Sequence, residues 1–563
     1  MKNKMIIYQV FTRLFGNNCT ACIPNGTKEE NGCGHFSDFS AKALGEIRKL
    51  GATHIWYTGI IAHATQTDYS TYGIPSDHPA VVKGKAGSPY AIKDYYDVDP
   101  DLANKPQKRM QEFQNLIYRT HDAGLKAIID FVPNHVARQY HSTHKPDGVK
   151  DLGEDDNKDA AFDPQNNFYY IPGQSFAPQF DLQGNAPSPY QENPAKATGN
   201  DNFTPSPGRN DWYETVKLNY GIDYVHGGGR HFSPTPSTWT KMRDILLFWA
   251  GKGVDGFRCD MAEMVPVEFW EWAIPQVKCR YPSIVFIAEV YNPAEYRNYI
   301  NRGHFDYLYD KVGLYDTLRA IVCRHASARQ ITSCWQSVDD IKDHMLNFLE
   351  NHDEQRIASD FFAGDGEKGR PASLVSATLG RNPMMIYFGQ ELGERGMDEE
   401  GFSGRDGRTT IFDYWCVDTV RRWRNNGRFG TAKLSGKELA LAAFYSKVLN
   451  LCNSEKALRE GDFYDVMYVN QGSDLFNADE CYAFVRRKDR DLIVVIANFS
   501  DAEQHVAVNL PHHLFEYFNI SEKDEVIATD LLSGDKECVT FNSSQSLLTD
   551  IPAYGGKMLK FKL

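Results

Sequence analysis

The chain has 563 residues, 42% of them hydrophobic, and a formal net charge of −13 at pH 7. The length is about three to four times that of a usual domain, so we expect several domains, and the composition excludes a disordered chain. The charge argues against nucleic acid or an anionic membrane surface as a partner, and no apolar run approaches the roughly 18–20 residues of a membrane helix.

The N-terminal segment and the cysteines predict a cytoplasmic protein. MKNKMIIYQVF has two lysines before a strand-like run and lacks the longer apolar stretch and cleavage site of a signal peptide. The cysteines number 11, an odd count, which is typical of reduced thiols. Four potential zinc ligands share one polar loop: Cys19, Cys22, Cys33 and His35. Their spacing matches no common zinc module, so a plain loop or a disulfide is favoured over a structural zinc site.

A unit of amphipathic helix, glycine and short apolar strand repeats along the chain. In the helix before Gly124, Phe113, Leu116 and Ile117 share one face, and this glycine fits a left-handed cap. Eight segments read as buried parallel strands: 5–11, 53–59, 125–134, 254–260, 283–291, 305–310, 345–353 and 384–391. Eight such units predict an α/β fold of the TIM (β/α)8 type, with an open doubly wound sheet as the alternative.

One connection is far too long for a loop. Roughly a hundred residues rich in Pro, Gly, Asn and Asp separate His135 from Trp239, which predicts an inserted subdomain after strand three. Beyond Leu458, CYAFVRR, the turn KDRD and LIVVIANFS predict a hairpin in a C-terminal antiparallel β domain. The predicted domains are the barrel at 1–135 and 226–457, the inserted subdomain at 136–225 and a C-terminal β-sandwich at 458–563.

Four of the predicted strands end in an acid or a histidine. The segments are DFVPNH (130–135), GFRCD (256–260), FIAEV (286–290) and LENHD (349–353). Reacting groups of a TIM barrel lie at the carboxyl ends of its strands, and an unpaired buried carboxylate costs several kcal/mol. A single acid could pair with a local arginine or cap the next helix. Four that converge on one mouth predict an active site.

The spacing of these acids assigns them separate tasks. Arg258 and Asp260 are two apart on one strand, so the guanidinium can keep the carboxylate ionised, as a nucleophile requires. Glu289 ends the next strand beside apolar residues, a setting that suits a general acid. A carboxylate pair about 5–5.5 Å apart would support double displacement through a glycosyl intermediate. Asp353 could stabilise a cation-like sugar.

In order and spacing, these four segments resemble the signature regions of the α-amylase family, glycoside hydrolase family 13. SPYAIKDYYDVDPDL (88–102) resembles the segment that floors the first sugar site, and the likeness covers essentially the whole chain. It implies a retaining glycosidase with Asp260 as nucleophile, Glu289 as acid/base and Asp353 as transition-state stabiliser. It also implies that Tyr90 stacks on the sugar ring, that His135 and His352 bind its hydroxyls, that Arg258 orients Asp260, and that Asp94 and Arg356 form an ion pair walling the pocket.

The chain departs from the family pattern at two places. In many members, the asparagine at the position of Asn134 and an aspartate of the insertion bind calcium. In this chain Lys217 occupies the position of that aspartate. An ammonium could replace the cation, so we expect no required cofactor. After the nucleophile, Glu263 and Met264 replace the Lys-His of typical α-amylases, which leaves acceptor preference and bond specificity open.

Three functions fit the sequence. The first is hydrolysis of α-1,4-glucans or maltooligosaccharides. The second is transfer of the same glycosyl unit to a sugar hydroxyl, as branching enzymes, maltosyltransferases and glucanotransferases do. The third is a non-catalytic glucan-binding relative, which is disfavoured because all three acids are present.

Overall fold

A cylinder of eight parallel strands forms the centre of the protein, as seen in a computed structural model that describes residues 3–182, 186 and 188–562. The strands are β1 (Ile6–Phe11), β2 (His54–Thr58), β3 (Lys126–Phe131), β4 (Gly256–Cys259), β5 (Val285–Ala288), β6 (Tyr307–Tyr309), β7 (Met345–Leu346) and β8 (Met384–Tyr387). Their order is β7-β6-β5-β4-β3-β2-β1-β8, and a parallel bridge between Asn347 and Met384 joins the two ends. The predicted TIM barrel is confirmed, and an open doubly wound sheet is excluded.

The strands are buried on both faces, which explains their continuous apolar sequences. One compact cluster includes an inward side chain from most strands: Ile7, Trp56, Ile128, Ile287, Tyr309, Leu346 and Met385. The predicted strand at 345–353 is wrong in extent, since β7 ends at Leu346 and the chain continues as a buried turn. That turn carries the polar residues up to Asp353 to the mouth of the barrel.

Helices surround the cylinder and continue into the C-terminal part of the chain. They are α1 (Thr12–Phe15), α2 (Lys28–Asn31), α3 (Ala41–Leu50), α4 (Arg109–Asp122), α5 (Ser237–Gly251), α6 (Val267–Arg280), α7 (Tyr296–Asn301), α8 (Asp316–Val322), α9 (Gln330–Ser337), α10 (Arg370–Thr378), α11 (Asp418–Arg424), α12 (Gly436–Ser454), α13 (Lys456–Glu460), α14 (Met467–Asn470) and α15 (His512–Phe518). The predicted apolar face of α4 is buried at Phe113, Leu116 and Ile117, and Gly124 adopts a φ of +73° just beyond the helix. Among the described residues, none of the helices has both the length and the apolar character that crossing a membrane requires.

The insertion after β3 leaves and re-enters the barrel through one short antiparallel pair. His135–Ala137 pairs with Thr215–Lys217, so Lys217 lies opposite His135. Further out, Tyr170–Ile171 pairs with Ala195–Lys196. The insertion therefore places some of its own side chains, among them Lys217, beside the end of β3.

The C-terminal domain consists of antiparallel strands. They are β9 (Asp462–Asp465), β10 (Cys481–Lys488), β11 (Asp491–Asn498), β12 (Gln504–Val508), β13 (Lys523–Asp530), β14 (Lys536–Phe541), β15 (Leu547–Ile551) and β16 (Gly555–Lys562). Six form a sheet in the order β9-β10-β11-β16-β13-β14, and β12 pairs with β15. The predicted hairpin is β10 and β11, with Asp489 at φ +54° in its turn.

Candidate active site

One buried guanidinium joins acids from three neighbouring strands at the mouth of the barrel. Nη1 of Arg258 lies 2.8 Å from Oδ1 of Asp260 and 3.3 Å from Oδ1 of Asp130. Nη2 lies 2.7 Å from Oε2 of Glu289. Arg258 is fully buried and its Nε donates to the hydroxyl of Tyr309 at 3.1 Å. The structure thus brings together the predicted nucleophile, the predicted acid and the arginine between them.

The Glu289 carboxylate is surrounded by donors rather than by the apolar groups that the sequence predicted. Its Oε2 accepts the backbone N–H of Met261 at 2.8 Å, and its Oε1 accepts the hydroxyl of Tyr291 at 2.6 Å. Met261 adopts a left-handed φ of +42°, a conformation rarely used by residues other than glycine. This strained residue directly follows Asp260, and its conformation aims the N–H at the second acid.

Asp353, His352 and Tyr90 form the opposite side of the site. Nε2 of His352 lies 3.0 Å from Oδ2 of Asp353 and also contacts the hydroxyl of Tyr90. The rings of Tyr90 and His352 stack with centroids 5.2 Å apart, and Nδ1 of His352 lies 2.8 Å from Nε2 of Gln9. The Asp353 side chain is 41% exposed, whereas those of Asp260 and Glu289 are 8% and 3% exposed. Asp353 is therefore the acid most open to solvent.

Burial dominates the electrostatics of this site. It raises the pKa of Asp260 well above its usual range, against the opposing charge of Arg258. It also raises the pKa of Asp130 to about 6, again with Arg258 opposing. Burial and Arg258 together lower the pKa of His352 well below its usual range. His352 is consequently neutral near pH 7.

His135 lies at the join between β3 and the insertion. It is buried, and its ring centroid is 5.2 Å from that of Trp212. Burial, with a contribution from Lys217, lowers the pKa of His135 to about 3. The imidazole is neutral and can act as a hydrogen-bonding group without carrying charge.

The predicted ion pair between Asp94 and Arg356 is wrong. Asp94 accepts hydrogen bonds from the hydroxyl of Ser142 and the N–H of Thr143, both in the insertion. Arg356 is buried and pairs with Glu350, whose Oε2 lies 2.9 Å from its Nη1. Asp94 and Arg356 thus each pair with a partner that sequence spacing did not indicate.

The predicted calcium position is occupied by the ammonium of Lys217 and is unsuited to calcium. Nζ of Lys217 donates to Oδ1 of Asn134 at 2.7 Å and lies 2.6 Å from Oδ1 of Asp201. Lys217 and Asn134 are buried, and the ring of Tyr224 lies 5.6 Å from the ammonium. Calcium requires oxygen ligands around it, whereas here an ammonium uses the Asn134 carbonyl.

The cysteine loop does not assemble the predicted zinc ligands among the described residues. The thiols of Cys19, Cys22 and Cys33 each contact a different backbone carbonyl, those of Glu30, Cys416 and Gly34. His35 lies 3.9 Å from Asp38 instead. The cysteines are free thiols, so the disulfide alternative is also absent from this described loop.

Several residues of the site were not singled out from the sequence. They are Gln9, Trp56, Asp130, Tyr291 and Tyr309. Asp130 accepts the indole N–H of Trp56 at 2.9 Å, and it lies within the segment DFVPNH. Gln9 could have been found as the polar residue inside the apolar strand β1. No periodic signal marks Tyr291.

Comparison with known proteins agrees with this geometry. A family model described as "Alpha amylase, catalytic domain" matches residues 29–450. Alpha-amylase 3 of Dictyoglomus thermophilum is 25% identical over 355 residues, which are 58% of this chain and 59% of that protein. Neopullulanase 2 of Thermoactinomyces vulgaris is 22% identical over 520 residues, covering 90% of this chain and 71% of that protein.

A maltosyltransferase and two solved structures extend the comparison. Alpha-1,4-glucan:maltose-1-phosphate maltosyltransferase of Cereibacter sphaeroides is 32% identical over 162 residues, 28% of this chain and 25% of that protein. The chain thus spans less than two thirds of two of these three relatives. The maltogenic α-amylase AmyB of Thermotoga neapolitana aligns with a TM-score of 0.62 at 18% identity, covering 100% of this chain and 99% of that one. An α-amylase of Geobacillus thermoleovorans complexed with acarbose aligns at 0.63 and 19%, covering 100% of both chains.

Proposed function

The chain belongs to the α-amylase family, glycoside hydrolase family 13, and from this premise we propose that it hydrolyses α-1,4-glucosidic bonds of maltooligosaccharides or starch-like glucans with retention of configuration. The observation that carries the proposal is the Arg258 guanidinium, which contacts the carboxylates of Asp260 and Glu289 on adjacent strands. Double displacement uses such a pair, about 5–5.5 Å apart.

Each of the three acids has a defined task in the proposed reaction. An Asp260 oxygen attacks the anomeric carbon, while Glu289 gives its proton to the departing glycosidic oxygen. The C–O bond to the leaving sugar breaks as the bond to Asp260 forms. Water then attacks the glycosyl ester, gives its proton to Glu289 and releases Asp260. Asp353 stabilises the positive charge that develops on the ring.

Transfer of the glycosyl unit to a sugar hydroxyl is the second candidate function. Its support is the partial sequence match to a maltosyltransferase. It uses the same glycosyl ester, and only the acceptor differs. Incubation with maltoheptaose followed by chromatography separates the two outcomes. Shorter sugars alone indicate hydrolysis, longer sugars as well indicate transfer, and unchanged maltoheptaose indicates a binder.

The mechanism is tested by the configuration of the first product and by one variant. NMR of fresh product should show the α-anomer, and an initial β-anomer would exclude retention. Asp260→Asn should lower kcat about 10⁴-fold with little change in stability, because the side chain keeps its shape and loses its nucleophilic charge. Full turnover by this variant would exclude Asp260 as the nucleophile.

We propose that calcium is not needed at Asn134, because the Lys217 ammonium already uses its carbonyl oxygen. We also propose a reducing, cytoplasmic location. Its support is the set of free cysteine thiols, of which Cys33, Cys259, Cys416, Cys452 and Cys481 are buried.

A further inference from the structure

A cluster of aromatic side chains lies on the surface of the C-terminal domain. Tyr464 belongs to the edge strand β9, Tyr468 to α14, and His513 and Tyr517 to α15. Tyr468 and Tyr517 are 58% and 55% exposed. Exposed aromatic patches of this kind commonly mark a binding site.

Hydrogen bonds and ring contacts hold these side chains in place. The Tyr464 hydroxyl lies 2.9 Å from that of Tyr468 and 2.8 Å from Nδ1 of His513. The ring centroid of Tyr517 is 5.6 Å from that of Tyr464 and 6.2 Å from that of His513. A surface fixed in this way loses little side-chain freedom when a ligand binds.

We propose that Tyr464, Tyr468, His513 and Tyr517 form a second glucan-binding surface, which we call the tyrosine surface. Tyrosine rings offer flat apolar faces to pyranose rings, and their hydroxyls offer hydrogen bonds to the sugar rim. This inference rests on the proposed function, because a polymeric substrate can occupy the tyrosine surface and the active site together and gain effective concentration.

The test is the double variant Tyr468→Ala/Tyr517→Ala. Adsorption to insoluble starch should weaken about tenfold, while turnover of maltoheptaose stays unchanged. Tyr118→Ala is the matched control, since Tyr118 is 69% exposed on the barrel helix α4 and has no place in the tyrosine surface. Circular dichroism checks that the variants are folded.

Two results would overturn the proposal. One is wild-type adsorption by the double variant. The other is a fall in molar mass by light scattering in the double variant alone, which would assign the surface to a second copy of the chain. Wild-type protein that leaves maltoheptaose intact would instead refute the proposed function, so the two failures are distinguishable.

A separate observation concerns the two oxygens of Glu289. Oε2 faces the Arg258 cation at 2.7 Å and the Met261 N–H at 2.8 Å, and both of these groups can only donate. A proton on that oxygen would lie against the positive charge of Arg258. Oε1 is the oxygen suited to carry the proton of the general acid, because the Tyr291 hydroxyl, 2.6 Å away, can accept a hydrogen bond as well as donate one.

We infer that Tyr291 is a positioning residue that acts through Glu289 in the proposed reaction. Its hydroxyl donates to Oε1 once the proton has left, and this hydrogen bond fixes the orientation of the carboxylate. Tyr291→Phe should lower kcat about tenfold and leave KM within about twofold of the wild type, because the orientation of Glu289 matters to the chemical step and not to substrate binding.

A matched tyrosine provides the control for this variant. Tyr8 donates to the buried Glu391 at 2.7 Å, away from the Arg258 cluster, so Tyr8→Phe loses a similar bond. This variant should keep the kcat of the wild type. A wild-type kcat in Tyr291→Phe, or equal falls in both tyrosine variants, would refute the role of Tyr291, whereas the proposed function fails only if the wild type is inactive.

Discussion

The Nζ atom of Lys217 lies 2.7 Å from Oδ1 of Asn134, between the end of β3 and the returning strand of the insertion. Both side chains are buried, so the ammonium satisfies a carbonyl that would otherwise lack a partner. The charge joins barrel and insertion as a bound cation would. Burial lowers the pKa of Lys217, while Asp201 opposes the shift.

This relationship predicts how the protein responds to calcium. EDTA should change neither Tm nor activity of the wild type. Lys217→Asp returns a carboxylate next to the Asn134 carbonyl, so we expect calcium chloride to raise the Tm of this variant and EDTA to reverse the gain. Lys217→Met is the control and should lose about 1–3 kcal/mol with no calcium response, because it leaves the carbonyl unpaired. A wild-type Tm that falls in EDTA would contradict the prediction.

The barrel and its acids were predictable because both follow from strand chemistry. Continuous apolar strands indicate burial on both faces, and a polar residue at the end of such a strand has few positions other than the barrel mouth. Asp260 and Glu289 directly follow β4 and β5, so their proximity depends only on the sheet order. The sequence also placed Asp353 correctly at the mouth of the barrel, although β7 is shorter than predicted.

Partners across the insertion were not predictable in this way. Asp94 binds Ser142 and Thr143, which belong to a segment without strand or helix periodicity. The setting of Glu289 depends on the positive φ of Met261, which an isolated sequence does not reveal. A prediction from neighbouring residues in the sequence therefore fails where the backbone geometry determines which groups are in contact.

Asp130 should influence the nucleophile through its charge. It contacts Arg258 at 3.3 Å, and its charge contributes to the raised pKa of Asp260. Asp130→Asn removes that charge, so the acidic limb of the kcat/KM profile should move down by about 0.5–1 pH unit, with kcat lowered about tenfold by the disturbed Arg258. Asp94→Asn is the control, as Asp94 binds Ser142 and Thr143 instead. An acidic limb that stays in place would refute the coupling.

Two buried glutamates should respond oppositely to the same substitution. Burial raises the pKa of Glu391 from 4.5 to about 7, and its Oε2 has no hydrogen-bond partner among the described residues. The folded state therefore binds a proton that the unfolded state has lost, and stability falls as pH rises from about 4.5 to 7. Glu391→Gln removes this cost and should gain about 1–3 kcal/mol at pH 8 and almost nothing near pH 5.

Glu350 is the matched case because burial also raises its pKa to about 7, but Arg356 lies 2.9 Å away. Glu350→Gln leaves the buried guanidinium without its counter-charge, so we expect a loss of about 3–5 kcal/mol at pH 8. Urea unfolding at pH 5 and pH 8 measures both variants. If the two substitutions changed the free energy of unfolding equally, the pairing of Glu350 with Arg356 would contribute nothing to stability.

Arg486 should stabilise the contact between the C-terminal domain and the barrel. It is fully buried in β10, and its guanidinium donates to the carbonyls of Thr378 in α10 and of Gly461 after α13, each at 2.7 Å. Arg486→Met leaves these carbonyls unpaired, so we expect a loss of about 2–4 kcal/mol in urea unfolding with kcat unchanged. Arg487→Met is the control, because the Nε of Arg487 donates to the nearby carbonyl of Asp489 and its guanidinium is not fully buried, so this variant should change stability by less than about 0.5 kcal/mol. Equal stability of the two variants would mean that other contacts between the domains carry the attachment.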